Sequence, residues 1–88
     1  MHFAFDPEKL ASNVAKHQTW FALADDFEWE TATLEVDTRK HYGETRFIGT
    51  GYIGLRLYVL IFTLRESALR IISLRKANPR EMERYAKT

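Results

Sequence analysis

The apolar residues in the first third of the chain recur at the spacing of amphipathic helices. Pro7 follows an Asp that can cap a helix, and the spacing predicts a helix over 7–17. The apolar face of this helix carries Leu10, Ala11, Val14 and Ala15. A second, shorter helix is predicted over about 20–27. Ahead of both, residues 2–5 predict a short edge strand.

The pattern changes to that of a β-sheet in the middle of the chain. Apolar and polar side chains alternate along residues 28–37, which predicts a strand or an extended arm. Residues 37–44 predict a loop. Three β-like runs follow, over 44–52, 55–65 and 68–76. Glycines at 49, 51 and 54 flank the first turn of this meander, and Glu66 and Ser67 form the second. The middle run is apolar on both faces, which predicts a central strand covered on each side.

A helix-start signal follows the last β-run. Asn78 can cap a helix, Pro79 suits the first helical position, and Glu81 can complete a capping box. The order of elements indicates the α+β class, with an antiparallel meander packed against two N-terminal helices and a short C-terminal helix. Helices on one face would leave the other face of the sheet partly open, and we expect function there.

Length and composition fit a single domain over residues 1–88. With 45% hydrophobic residues, the chain can form one packed core. The absence of cysteine excludes disulfides and thiolate metal sites. The longest apolar run, over 57–64, is much shorter than a membrane span, and no leader-like segment is present. We therefore expect a cytoplasmic protein that does not contact membranes.

Charge is divided unevenly along the sequence. Residues 1–38 carry two Lys against eight acidic residues, and residues 39–88 carry eleven Lys or Arg against four Glu, although the net charge is only +1. A basic half of this kind indicates a polyanionic partner. Four of its cations gather in the last predicted hairpin, namely Arg65, Arg70, Arg75 and Lys76.

The length of the hairpin turn decides which of these cations share a face. With two residues in the turn, Arg65 pairs with Ala68 and shares a face with Arg70. With three, Arg65 pairs with Leu69 and shares a face with Arg75 instead. The sequence leaves both open. The cluster is either a solvated strand edge, charged to prevent aggregation, or a phosphate-binding surface, for which forked guanidinium groups are well suited.

Other titratable residues also allow two interpretations each. Lys16 and His17 complement the dipole of the first helix, or His17 transfers protons in the same cleft as the arginines. Glu44 is an ionic partner for Arg46 or a weaker candidate general base. The two remaining histidines have no ligand at metal-binding spacing, so we expect no metal site and no cofactor.

Four segments taken together resemble the BrnT toxins of bacterial type II toxin–antitoxin systems. They are FAFDPEKLASNVAKH at 3–17, the Gly-Glu-x-Arg-Phe pattern at 43–47, the apolar run at 57–63 and RIISLRKANPREMERY at 70–85. The resemblance implies a RelE-like fold and a ribonuclease that halts growth by cutting RNA. It also implies neutralisation by a BrnA-type antitoxin with a ribbon-helix-helix region, and contact with operator DNA only through the toxin–antitoxin complex.

The resemblance also implies site residues. The candidate catalytic residues are His17, Arg65, Arg70, Arg75 and Lys76. The resemblance also implies Lys16, which we expect to bind RNA. Two further cations of the basic half, Arg46 and Arg80, are candidate RNA-binding residues without support from the resemblance. Gln18 and Thr19 stand where the family commonly has Gly and Val, which changes the local geometry of the cleft.

These residues support a hypothesis of metal-independent RNA cleavage. The arginines hold the phosphate, and Lys76 or His17 transfers protons. The alternative is a non-catalytic module that binds RNA or an acidic peptide on the same basic face. A third interpretation makes this face mainly a docking surface for the antitoxin.

Overall fold

The computed structural model describes residues 22–88, which form a four-stranded antiparallel sheet and one C-terminal helix. The elements are β1 (Thr33–Val36), β2 (Phe47–Ile53), β3 (Arg56–Arg65), β4 (Ala68–Lys76) and α1 (Pro79–Ala86). The strands are adjacent in the order β1-β2-β3-β4. The predicted α+β class and meander are confirmed for this part of the chain. Within residues 22–88, no helix is long and apolar enough to cross a bilayer.

β3 is the central strand of the meander, as its sequence predicts. It pairs with β2 on one side and β4 on the other. Val59 and Leu60 point to opposite faces and are 2% and 0% exposed. Because a strand buried on both faces needs apolar residues at every position, the continuous apolar run of β3 follows from its central place.

Each face of the sheet packs against a different segment. The odd-numbered residues of β3, from Leu57 to Arg65, lie on what we term the α1 face, where Tyr85 of α1 packs. The even-numbered residues lie on the opposite Phe27 face, where Phe27 and Leu60 belong to the larger apolar cluster. The α1 face is therefore partly covered by the C-terminal helix.

Two glycines inside β2 allow Phe27 to approach the sheet. A Cβ at Gly51 would lie 2.8 Å from Phe27 Cζ and 2.9 Å from Ala32 Cβ. Gly49 and Gly51 thus lie within β2, inside the β-run predicted over 44–52. The turn consists of Gly54 and Leu55, with Gly54 at φ +62°.

The N-terminal predictions are tested only in part. The predicted edge strand over 2–5 and helix over 7–17 lie outside the described residues. Of the second predicted helix, residues 22–24 are helical, and the chain then turns. Phe27 is 4% exposed and forms an isolated β-bridge with Ile53, so the helix ends before the predicted residue 27. The alternating stretch contains β1, and the predicted loop follows it.

The start of α1 has the predicted capping box. The backbone N–H of Glu81 donates to Asn78 Oδ1 at 2.8 Å, and the N–H of Asn78 donates to Glu81 Oε1 at 2.9 Å. Pro79 occupies the first turn, where its missing N–H costs nothing. The Tyr85 hydroxyl donates to the Thr31 carbonyl at 2.7 Å and fastens the helix to the segment before β1.

Candidate functional site

The β3–β4 hairpin has a two-residue turn, so the first of the two turn-length alternatives is confirmed. Arg65 pairs with Ala68, and Thr63 pairs with Arg70, which places both arginines on the α1 face. Glu66 and Ser67 form the turn with φ of 53° and 66°. Positive φ at both positions is the requirement of the tight turn that matches strand twist.

A β-bulge brings Arg75 to the same face. Arg70 and Arg75 are five residues apart, and a regular strand would point them to opposite faces. The pairing changes register between Ile61 and Phe62, so that Ile72 is the extra residue and Arg75 pairs with Val59. All three hairpin arginines therefore share the α1 face, a result that neither turn length predicts alone.

A cleft lies on the α1 face between β1, the following loop and α1. Its volume is about 240 Å³. Its apolar lining includes Ile48, Val59 and Ile61. Three arginines also line it, namely Arg39 from the loop, Arg75 from β4 and Arg84 from α1. A larger hollow of about 540 Å³ lies along the loop from residue 36 to 45; it contains Glu44, the weaker candidate base, and none of the predicted arginines.

Arg75 is held by a carboxylate at the start of α1. Its Nη1 donates to Glu81 Oε1 at 2.7 Å and its Nη2 to Glu81 Oε2 at 2.8 Å. These hydrogen bonds lower the pKa of Glu81 to about 2, against the effect of burial. They also raise the pKa of Arg75, while burial and then the positive charge of Arg39 act in the opposite direction. Glu81 thus caps the helix and orients Arg75 at the same time.

Arg39 is held in a similar way at the other side of the cleft. Its Nε and Nη2 donate to the two Asp37 oxygens, each at 2.8 Å, and the Tyr42 hydroxyl donates to Asp37 Oδ2 at 3.0 Å. The Asp37 side chain is 1% exposed, whereas that of Arg39 is 63% exposed. The bonds from Arg39 hold the pKa of Asp37 far below its usual range, and Asp37 raises the pKa of Arg39.

The other predicted residues lie elsewhere. Arg70 lies opposite Thr63, and Arg75 lies opposite Val59, four positions away on β3. Arg70 is therefore about 13 Å from Arg75 along the strand direction. Arg65 lies at the same far end. Lys76 pairs with Tyr58 and so belongs to the Phe27 face.

Two predicted RNA-binding residues are also placed by the structure. Arg80 is exposed in the first turn of α1. The guanidinium of Arg46 lies over the Tyr42 ring at 4.1 Å, and its Nε is 3.5 Å from Glu44 Oε2. This geometry favours the interpretation of Glu44 as an ionic partner. Lys16 and His17 lie outside the described residues.

The potential for metal binding is limited in this part of the chain. Residues 22–88 contain no group of three or more His, Asp or Glu side chains arranged to hold a metal ion. The described site therefore consists of arginines and the carboxylates that hold them. Such an arrangement is suited to binding phosphate and to stabilising negative charge that develops on it.

The sequence matches a protein family over most of its length. The family is described as "Ribonuclease toxin, BrnT, of type II toxin-antitoxin system", and the match covers residues 5–81. The chain belongs to the BrnT family. Comparisons with curated proteins and with solved structures give no match. The resemblance of the four sequence segments to BrnT toxins is thereby confirmed, and this BrnT-family member is a ribonuclease toxin of a type II toxin–antitoxin system.

Sequence reasoning on this BrnT-family toxin missed Arg39 and Arg84 and assigned Glu81 only as a cap. The segment Asp37-Thr38-Arg39 follows an alternating strand, and an Asp-x-Arg spacing permits the side-chain pair that is observed. Arg84 falls three residues after Glu81, on the same side of a helix. Neither signal points to the cleft unless the packing of β1 and α1 on the sheet is known.

Proposed function

We propose that this BrnT-family toxin is a metal-independent endoribonuclease that binds an RNA phosphodiester on the α1 face. The observation that carries this proposal is the common face of Arg65, Arg70 and Arg75, which the two-residue turn and the bulge at Ile72 create together. Solvated edge charges would need no such alignment, whereas a chain of phosphates contacts cations that lie on one side of the protein.

The proposed reaction is attack by a ribose 2′-hydroxyl on the adjacent phosphorus. The 2′-oxygen loses its proton to a base and forms a bond to phosphorus, and the bond to the 5′-oxygen breaks. The 5′-oxygen takes up a proton, which leaves a 2′,3′-cyclic phosphate and a 5′-hydroxyl. Negative charge grows on the non-bridging oxygens during this step, and guanidinium groups fixed beside them stabilise it.

Arg75 is the residue best placed to stabilise this charge. It lines the cleft, is 46% exposed, and is held in one orientation by both oxygens of Glu81. A pre-oriented donor needs no rearrangement when the transition state forms, and positioning together with charge stabilisation can lower a barrier by several kcal/mol. Arg65 and Arg70 bind the RNA backbone farther along the face.

Proton transfer is assigned to His17, because an imidazole is the side chain best suited to give and take protons near neutral pH. We assign no such role to Lys76, because its register places it on the Phe27 face. Glu44 is close to Arg46 and serves as its partner. The guanidinium groups supply the positive charge that a metal ion provides in other nucleases.

In the cell, the proposed cleavage inhibits translation and growth in the cytoplasm. A BrnA-like ribbon-helix-helix antitoxin neutralises the toxin, and contact with operator DNA occurs only through the complex. These proposals rest on the family and on the sequence resemblance. Co-expression tests the partner: growth arrest on expression of this chain should be relieved by a BrnA-like antitoxin and by no unrelated ribbon-helix-helix protein.

The central experiment compares three purified proteins incubated with RNA in the presence of a chelator. The wild type should yield fragments ending in cyclic phosphate, and Arg75→Ala should yield none while its circular dichroism is unchanged. Arg56→Ala is the matched control, because Arg56 is an exposed arginine on the Phe27 face.

Each outcome of this comparison has a definite meaning. Retained cleavage, or retained growth arrest, by Arg75→Ala at equal expression would remove this residue from the mechanism. Binding of RNA without cleavage by the wild type would favour the non-catalytic module instead. Cleavage that requires added metal would contradict the metal-independent reaction.

A further inference from the structure

Arg39 and Arg75 form a pair of fixed cations on the two sides of one cleft. Both line the 240 Å³ cleft on the α1 face, and each guanidinium is held by two oxygens of one carboxylate. Asp37 holds Arg39, and Glu81 holds Arg75. Both carboxylates are well shielded, at 1% and 14% exposure of their side chains, while the side chains of Arg39 and Arg75 are 63% and 46% exposed. We term these two arginines the arginine pair.

The hydrogen bonds of the pair leave complementary edges of the two guanidinium groups available. Glu81 takes the terminal edge of Arg75, between Nη1 and Nη2, and the Lys76 carbonyl accepts from Nη1 at 3.4 Å. The lateral edge of Arg75, formed by Nε–H and one Nη2–H, has no acceptor among residues 22–88. Asp37 takes the lateral edge of Arg39 through Nε and Nη2, which leaves its terminal edge. Each remaining edge carries two N–H groups in the spacing that suits two phosphate oxygens.

Net charge does not explain this arrangement, because Asp37 and Glu81 balance the formal charge of the pair. What the carboxylates provide is fixed orientation. A side chain that is already ordered loses little conformational freedom when it binds a ligand, and charge-assisted hydrogen bonds are stronger than neutral ones. Because each carboxylate occupies one edge of its guanidinium group, the other edge has a defined direction and suits a planar or tetrahedral oxyanion, although Glu35, Asp37 and Glu81 line the same cleft.

We propose that the arginine pair binds one phosphate group in the cleft, which adds Arg39 to the hairpin arginines as a further phosphate-contacting residue of this protein. The inference rests on the proposed function only in taking the RNA backbone as the main source of phosphate. It adds to the hairpin arginines a residue from the loop after β1, so that the site joins two distant parts of the sequence.

The test measures binding of an RNA oligonucleotide that carries 2′-O-methyl groups and therefore cannot be cleaved. The dissociation constant is measured over a series of salt concentrations for five proteins. They are the wild type, Arg39→Gln, Arg75→Gln, the double variant and the control Arg56→Gln. We expect Arg39→Gln to weaken binding at least about tenfold. We also expect the slope of log K against log salt to become shallower by about 0.7, the value for one lost phosphate contact on a single strand. Arg56→Gln should change neither quantity.

The double variant tests whether the two arginines share a phosphate. If they do, its loss of affinity is smaller than the product of the two single losses, because either substitution already weakens the same contact. Fully multiplicative losses would overturn a shared phosphate. An unchanged affinity and slope in folded Arg39→Gln would overturn the whole inference.

Arg39→Lys keeps the test decisive if Arg39→Gln does not fold. A lysine can still pair with Asp37 but then has no planar edge for a phosphate, so its melting temperature should stay close to that of the wild type while affinity falls. Wild-type affinity in folded Arg39→Lys would again overturn the inference.

Two further experiments are needed. The first distinguishes free phosphate from RNA backbone phosphate as the ligand, and the second distinguishes failure of the phosphate site from failure of the proposed nuclease function. Inorganic phosphate at constant ionic strength should compete with the oligonucleotide in the wild type and not in Arg39→Gln if the site takes any phosphate. A dependence on Arg39 without such competition assigns the site to backbone phosphate alone. Cleavable RNA is assayed in the same preparations. An Arg39 effect on binding in a protein that never cleaves overturns the nuclease and keeps the site, whereas wild-type affinity together with normal cleavage in Arg39→Gln overturns the site and keeps the nuclease.

Discussion

Replacing Glu81 with glutamine should remove one of the two roles of this side chain and keep the other. A glutamine oxygen can still accept the Asn78 N–H that Glu81 accepts at 2.9 Å, since capping boxes accept either residue. It cannot hold both Nη groups of Arg75, because the side-chain NH2 of glutamine is itself a hydrogen-bond donor and would face an N–H group of Arg75. The substitution therefore keeps at most one of the two bonds to Arg75, so the guanidinium group is no longer fixed in orientation, while α1 remains capped.

The expected loss of stability follows from the pKa of Glu81. This pKa is lowered from 4.5 to about 2. At about 1.4 kcal/mol per pKa unit, a shielded pair would contribute roughly 3 kcal/mol at neutral pH. The Arg75 side chain is 46% exposed, so solvent and salt screen the pair, and we expect Glu81→Gln to lower the free energy of unfolding by about 1 kcal/mol.

The loss should depend on pH with a definite sign. Because the pKa of Glu81 is lower in the folded state than in the unfolded state, its contribution is complete above the unfolded value of about 4.5. It disappears as the pH falls toward the folded value of about 2. The difference in unfolding free energy between the wild type and Glu81→Gln, measured by urea titration, should therefore shrink from neutral pH to nearly zero at pH about 2.

Asn78→Ala is the matched control for activity. It removes the cap acceptor of the Glu81 N–H, at a cost of about 1 kcal/mol, but leaves the Arg75–Glu81 pair intact. We expect kcat on RNA to fall at least about tenfold in Glu81→Gln and to stay within about twofold in Asn78→Ala. Equal losses of kcat in the two variants, or no loss in either, would refute the role of Glu81 in orienting Arg75.

Three further substitutions test the packing and turns of the fold. Gly51→Ala places a methyl group 2.8 Å from Phe27 Cζ and should lower the urea-unfolding free energy by about 1–3 kcal/mol; an unchanged value would contradict the close packing. Ser67→Gly removes a left-handed non-glycine residue at φ 66° and should stabilise by about 1 kcal/mol with normal RNA cleavage, so a destabilised variant would contradict the turn geometry. Tyr85→Phe loses the 2.7 Å bond to the Thr31 carbonyl and should lower stability by about 1 kcal/mol, with faster amide exchange in α1 as the second readout.

Local signals in the sequence predicted most of the sheet and the last helix correctly. β4 has the predicted bounds, because the β-like residues of the run and the Glu66-Ser67 turn before it are signals between near neighbours. The capping box at Asn78 is equally local. The close packing at Gly51 is not local, since a Cβ there would lie against Phe27, a residue from another part of the chain that packs on the sheet.

The candidate site was less predictable for the same physical reason. The hairpin arginines were identified from their spacing, but the bulge at Ile72 depends on how β3 and β4 pair, and parity alone gave two incompatible outcomes. Arg39 and Arg84 join the cleft only because the loop after β1 and the helix pack on one face. Capping geometry predicted Glu81 as a cap, yet its bond to Arg75 required the end of β4 to lie beside α1.

The additional residue in β4 makes the count of residues between Arg70 and Arg75 matter more than their identity. Exchanging one apolar side chain for another at Ile72 leaves every later residue on its present side of the sheet. Shortening the segment by one would turn Arg75 away from the cleft and send Leu74 out of the core in the same event. We accordingly expect natural variants of this toxin to carry different apolar residues at position 72, but to keep the same number of residues between Arg70 and Arg75.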